Sequence, residues 1–257
     1  MTLSAPAARA AAPLFTPFSS AKFSLPNRVV MAPMTRSFAT GGVPAAAAPG
    51  YYARRARADV GLVISEATLV GRPSAGNEPD VPRFWGDDAL TAWQPVVSAV
   101  NATGSAFWPQ LWHVGAVRNP MVKWTPPAPP ESPSGVVKPG RDYGVAMTEA
   151  DIEATITAFA QAAAQAKRLG AGGVELHGAH GYLIDQFFWA GTNQRTDRWG
   201  ASRLLNAAAL RSTRSAQCAP QWVSRFPCAF ACRSGSSRIS PPGLPQRPMK
   251  CSPGFGR

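Results

Sequence analysis

Two histidines three residues apart, His177 and His180, follow the short strand-like run Val174-Glu175-Leu176 and precede Tyr182. Two imidazoles and a phenol so spaced can address one point, which suits holding a carbonyl oxygen while a proton is delivered beside it. Three readings of the pair stand open. Metal ligation normally places such histidines on one face of a helix and needs further ligands. Here Gly178 and Gly181 disfavour a helix, and His113, Glu175 and Asp185 complete no ligand spacing, so no metal is expected. A purely structural pair is the second reading. A clamp on a substrate oxygen is the third, and it suits the flanking glycines best.

These groups need a scaffold, and the chain alternates strand-like runs with helical ones. Arg28 to Ala32 reads as a first strand, Tyr51 to Ala58 as a helix and Val60 to Ser65 as a second strand. Leu90 to Thr103 reads as a helix and Ser105 to Trp112 as a third strand. Thr148, with Asp151 three places on, predicts a capped helix whose apolar positions from Ile152 to Leu169 recur at helical spacing. Gly170 ends it, and Gly173 to Leu176 makes a fourth strand.

Four strand–helix units in succession imply a parallel sheet with helical crossovers. Polar clusters follow or close each strand: Pro33-Met34-Thr35, Glu66-Ala67-Thr68, Gln110 to His113, and His177 to Tyr182. Successive strand ends meet at one mouth when the sheet curls into a (β/α)8 barrel. No Gly-x-Gly-x-x-Gly turn follows the first strand, which argues against an open dinucleotide-binding sheet. Inside a barrel an unpaired Gln110 amide would cost on the order of several kcal/mol, so a ligand contact is the better reading there. Thr35 and Ala67 could equally be a turn cap and ordinary packing.

Composition bounds the remaining choices. At 45% hydrophobic and 16% charged residues the chain reads as a soluble globular body, expected to be cytoplasmic, and no apolar run reaches the length of a membrane span. The formal charge of +12 points at first to nucleic acid. All acids fall at or before Asp197, however, and the stretch from Arg203 onward carries basic residues alone, so a nearly neutral body precedes a basic tail. The four cysteines, Cys218, Cys228, Cys232 and Cys251, lie in that tail with no metal-ligand spacing.

The ordered motifs make a specific resemblance. Leu25-Pro26-Asn27-Arg28-Val29-Val30-Met31-Ala32-Pro33-Met34-Thr35-Arg36, Tyr51-Tyr52-Ala53-Arg54-Arg55-Ala56, Ile64-Ser65-Glu66-Ala67-Thr68, Gln110-Leu111-Trp112-His113, the histidine pair with Gly181-Tyr182-Leu183, and Thr192 to Gly200 follow one another. From about Pro13 to Gly200 the chain resembles the old yellow enzyme family of flavin-dependent ene-reductases. The resemblance implies a (β/α)8 TIM barrel, here about its first four βα units, with FMN across the mouth and NADPH or NADH as hydride donor. Pro33, Met34, Thr35, Ala67, Gln110 and His177 would contact the cofactor. His177 and His180 would grip the carbonyl oxygen of an α,β-unsaturated substrate, Tyr182 would protonate its α-carbon, and Trp112 would wall the pocket, with His113 behind it. The partners implied are small molecules, not nucleic acid or membrane; oligomeric state is left open.

Domain expectations follow: a disordered terminus over 1–12, a partial FMN-binding barrel over 13–200 and a poorly ordered basic tail over 201–257. The change of composition near residue 200 predicts a shifted reading frame, and four strands alone predict open edges, weak FMN binding and little turnover. An inactive remnant of such an enzyme is one alternative, and a tail that binds nucleic acid or an acidic surface is another. The Pro-, Gly- and Ser-rich stretch from Pro126 to Gly144 is expected to form a loop over the mouth.

Overall fold

Strand and helix alternate in a computed structural model that describes residues 11–203 and 228–231. In chain order the elements are β1 (Val30–Met31), α1 (Ala48–Ala56), β2 (Leu62–Leu69), α2 (Asp87–Asn101), β3 (Ala106–Trp112), α3 (Glu149–Arg168), β4 (Val174–His177), α4 (Leu183–Phe188) and β5 (Cys228–Ala231). The strands lie in the order β5-β4-β3-β2-β1, and every neighbouring pair is parallel. That is the strand order of successive βα units winding one way around a barrel.

The four predicted strands are present, with shifted bounds. β1 is shorter than expected, and β2 runs on to Leu69, because a register irregularity between Ile64 and Ala67 lets pairing with β3 resume beyond Ser65. The expected cluster Glu66-Ala67-Thr68 therefore sits inside β2, not after it. Helix α1 starts at Ala48, three residues early, since Pro49 lies in its first turn where no intrahelical donor is needed. Thr148 caps α3, and its reciprocal bonds with Asp151 complete the predicted capping box.

β5 lies in the stretch expected to be a poorly ordered tail. Cys228–Ala231 pairs in parallel with β4, Val174 opposite Cys228 and His177 opposite Ala231. Four residues suffice because β4 offers a ready edge of backbone donors and acceptors. Residues 1–10, 204–227 and 232–257 lie outside the described part, and with them most of both predicted terminal segments, including Cys218, Cys232 and Cys251.

Period-two alternation decides what each strand face buries. Phe107 and Leu111 of β3 enter the core shared with Tyr52 of α1, Trp93, Val96, Val97 and Val100 of α2, and Ala158 and Ala162 of α3. Fully burying each large side chain there contributes roughly 1.5–3 kcal/mol. Trp108, facing the other way, packs with Leu62 and Ile64 against Phe18 and Leu25. The last two belong to an antiparallel hairpin, Phe18–Ser19 with Ser24–Leu25, that closes the floor of the curled sheet. With floor and helices in place, the polar strand positions converge at the opposite, C-terminal rim.

Candidate active site

Every second residue of β3 faces the barrel interior, so the layers above Trp108 are Gln110 and then Trp112. Ala67 of β2 and Glu175 of β4 are the register partners of Gln110. This middle layer is buried, with Gln110 only 4% exposed. Its side-chain Nε2 donates to Glu175 Oε1 at 2.6 Å. Burial pushes the Glu175 carboxyl above its ordinary range, and the bond from Gln110 pulls the other way.

The next layer holds the rings. His177 stacks on Trp112 with 6.1 Å between centroids and planes 26° apart. Tyr182 meets both edge-on, 4.8 Å from Trp112 and 4.9 Å from His177. His180 lies 5.1 Å from His177. His177 Nε2 and His180 Nδ1 are 3.4 Å apart, close enough for both ring nitrogens to address one oxygen. The backbone arranges this: His177 ends β4, and His180 takes a left-handed conformation at φ 62°, rare for a residue with a β-carbon, followed by Gly181 at φ 77°. That reversal folds His180 back toward His177 and delivers Tyr182 to the start of α4, so no helix carries the pair.

Burial holds two of these groups, His177 and Tyr182, in their neutral forms. Burial, reinforced by neighbouring His180, pulls His177 down to about 4, so its ring is uncharged at neutral pH. Burial pushes the Tyr182 phenol up, with Glu78 adding to the effect, so it keeps its proton. The Trp112 Nε1 donor is buried and has no hydrogen-bond partner among the described residues.

The remaining predicted residues, Pro33, Met34 and Thr35, lie on the rim past β1. Met34 is 65% exposed, Thr35 is exposed and Pro33 half-buried. None of them makes a ring contact with the histidine layer. They are tied in through Arg36, whose backbone N–H donates to Glu66 Oε2 at 3.2 Å and whose Nε donates to Glu66 Oε1 at 3.0 Å. Tyr52 Oη donates to the same carboxylate at 3.1 Å. Glu66 and Thr68 thus serve the scaffold: Thr68 Oγ1 donates to the Gln110 carbonyl at 2.7 Å. A groove of about 870 Å³ beside this rim, lined by Arg36, Phe38, Tyr51 and Arg54, includes none of the ring-layer residues.

His113, expected behind the wall, turns away from the rings into a buried polar cluster. Gly115 N–H donates to its Nδ1 at 3.0 Å, which leaves the proton on Nε2, 3.2 Å from Glu131 Oε1. Arg72 and Ser74 also donate to Glu131, at 2.7 and 2.5 Å. Glu131 lies within the predicted Pro126 to Gly144 loop, where Glu131–Ser132 pairs with Val145–Ala146 just past the loop's end and Val136–Lys138 pairs with Arg141–Asp142. The cluster therefore anchors this excursion to β3. Burial by itself would raise Glu131, but bonds from His113, Arg72 and Ser74 outweigh it and hold the carboxyl at about 2. A folded value below the unfolded one gives stability that is present above about pH 4.3 and lost as pH falls toward 2. The stability difference between wild type and Glu131→Gln, read from thermal melts, isolates this contribution: it should be constant from pH 7 to 5 and fall by about 3 kcal/mol on further acidification.

A parallel βα sheet whose C-terminal rim gathers neutral hydrogen-bond donors around an unpartnered indole N–H defines a barrel-type small-molecule site. Residues 13–208 match the NADH:flavin oxidoreductase / NADH oxidase family, and the chain belongs to that family. It is 40% identical over 203 residues to 12-oxophytodienoate reductase 7 of Oryza sativa subsp. japonica, covering 74% of this chain and 51% of the relative. Morphinone reductase in complex with tetrahydroNAD superposes with a TM-score of 0.70 at 32% identity, covering 85% of this chain and 63% of that one. The old yellow enzyme homologue from Zymomonas mobilis gives 0.69 at 30% identity, covering 85% and 62%. The fold is that of these TIM barrels, and the chain spans about half the length of most of the curated relatives it matches. No helix among the described residues is long and apolar enough to cross a membrane.

FMN is the cofactor implied by the family, and the residues present fit it. The buried Gln110 amide, its Nε2 bonded to Glu175, leaves its carbonyl oxygen as an acceptor for a ring edge that carries an N–H. Ala67 opposite it projects only a methyl group, and Trp112 Nε1 is a buried donor awaiting an acceptor. Two contributors had not been found in the sequence, Glu175 and the Arg36–Glu66 pair. For Glu175 a signal existed: it stands two residues before His177 in a strand, hence on the same face.

Proposed function

We propose that the chain is an FMN-dependent oxidoreductase passing hydride from NADPH or NADH through flavin to the C=C bond of an α,β-unsaturated carbonyl compound. The observation that carries this reading is the ring layer of Trp112, His177, His180 and Tyr182, with centroid distances from 4.8 to 6.1 Å. FMN, when bound, supplies the hydride chemistry. Pro33, Met34, Thr35, Ala67, Gln110 and His177 would hold it within the unit spanning residues 13–200.

The side chains do the rest. His177 and His180, both near one point and His177 held neutral, donate hydrogen bonds to the carbonyl oxygen and stabilise the charge that grows there as hydride reaches the β-carbon. Tyr182 gives its proton to the α-carbon, and solvent restores it. Trp112 forms the wall. The balance is one hydride and one proton added across the double bond and one nicotinamide oxidised.

The full chain, titrated with FMN and then mixed anaerobically with NADPH and 2-cyclohexen-1-one, tests this. Expected are quenched flavin fluorescence, a bleached flavin band on adding NADPH, and cyclohexanone formed in step with NADPH oxidised. Bound FMN that NADPH reduces and the enone leaves reduced would overturn the substrate class. Failure to bind FMN would overturn the cofactor.

A further inference from the structure

Gln110 is held on three sides. Its backbone N–H donates to Ser65 Oγ at 3.1 Å, its carbonyl accepts from Thr68 Oγ1 at 2.7 Å, and its side-chain Nε2 donates to Glu175 Oε1 at 2.6 Å. The two backbone bonds fix where the side chain starts. They leave the amide one freedom, which of its two ends faces the interior. Glu175 is its register partner on β4 and lies buried in the same layer, one layer below His177 and Trp112. Glu175 Oε1 is the acceptor in that bond, so it holds the NH2 end of the amide and turns the oxygen the other way. The carbonyl end is then the one presented to a ligand.

We propose that Glu175 is a positioning residue that locks the Gln110 amide oxygen toward the bound cofactor and so selects a ring edge bearing an N–H donor, an imide. This rests on the reading that the site holds FMN, whose pyrimidine ring carries an imide N–H. It goes further in assigning the polarity of the contact and the residue that sets it. Without Glu175 the amide could turn and offer its NH2 end equally well, and an edge without a donor would no longer be disfavoured.

The test compares FMN with its N3-methyl analogue, which lacks the donor, by fluorescence titration of the full chain. The wild-type protein should bind FMN about tenfold or more tightly than the analogue, the scale of one buried hydrogen bond to a well-held acceptor. Glu175→Gln is nearly isosteric and can either donate or accept, so it releases the lock. Its discrimination should fall to about threefold or less. The methyl group's bulk is the same in both proteins, so a merely structural role for Glu175 would move both affinities and leave their ratio alone. Glu175→Leu should likewise lose discrimination, and adding it to Gln110→Leu should change FMN affinity little further. An unchanged ratio in Glu175→Gln, with FMN still bound, overturns this inference while leaving the cofactor reading intact. A wild-type protein that binds neither flavin overturns both.

Discussion

Tyr182→Phe should slow reoxidation of the reduced flavin by an enone by about 10²–10⁴, the usual contribution of a positioned general acid, while flavin reduction by NADPH keeps its rate. The substitution removes one oxygen and preserves the ring that packs edge-on against Trp112 and His177. The loss therefore reports proton delivery and not collapse of the pocket. Stopped-flow absorbance measures the two half-reactions separately. Equal slowing of both would mean that Tyr182 shapes the site without donating a proton. The pH dependence has a definite sign. Burial and Glu78 raise the phenol above its ordinary value, so the acid form persists through neutral pH and no alkaline loss from Tyr182 should appear below about pH 10. At the acid end His177 titrates near 4, so its ring should stay neutral from pH 8 down to about 5.

Arg36→Leu should destabilise the fold by about 3–5 kcal/mol, because it strands the Glu66 carboxylate, only 3% exposed, without its cation. The guanidinium contributes twice. It pairs with Glu66 and lies 3.8 Å from the Tyr51 ring centroid, so leucine loses a cation–π contact as well. Urea unfolding followed by tryptophan fluorescence reads the change. A double variant, Arg36→Leu with Glu66→Gln, should recover much of it, since a neutral amide costs far less to bury than an unpaired charge. A single variant as stable as wild type would show that the pair is a surface ornament. The rim residues Pro33, Met34 and Thr35 hang from this pair, so the single variant should also weaken FMN binding, and the double variant should restore less of that than of stability.

Much of this was legible in the residues themselves. Period-two and helical patterns located four strands and three helices, because burial on one face leaves a periodic trace and the Thr148–Asp151 cap writes its own signature. His177, His180 and Tyr182 could be grouped because they are near neighbours in the chain, and Gln110 and Trp112 could be placed together because alternate strand residues share a face. The strand β5 could not be anticipated: Cys228–Ala231 carries no turn signal or alternation, and an exposed edge of β4 recruits it through backbone groups that any sequence has.

Side-chain partnerships across the sheet were likewise decided by the tertiary structure alone. Glu66 turns to Arg36 and Tyr52 because a register irregularity between Ile64 and Ala67 reverses the expected alternation. His113 turns to Glu131, a partner supplied by the excursion between β3 and α3, instead of backing the ring layer. Gln110 meets Glu175 across 65 residues only because β3 and β4 align at that register. Residue type and local period set what each element is and which face it buries. Which polar groups then neutralise one another depends on strand register, a property of two segments together that neither encodes alone.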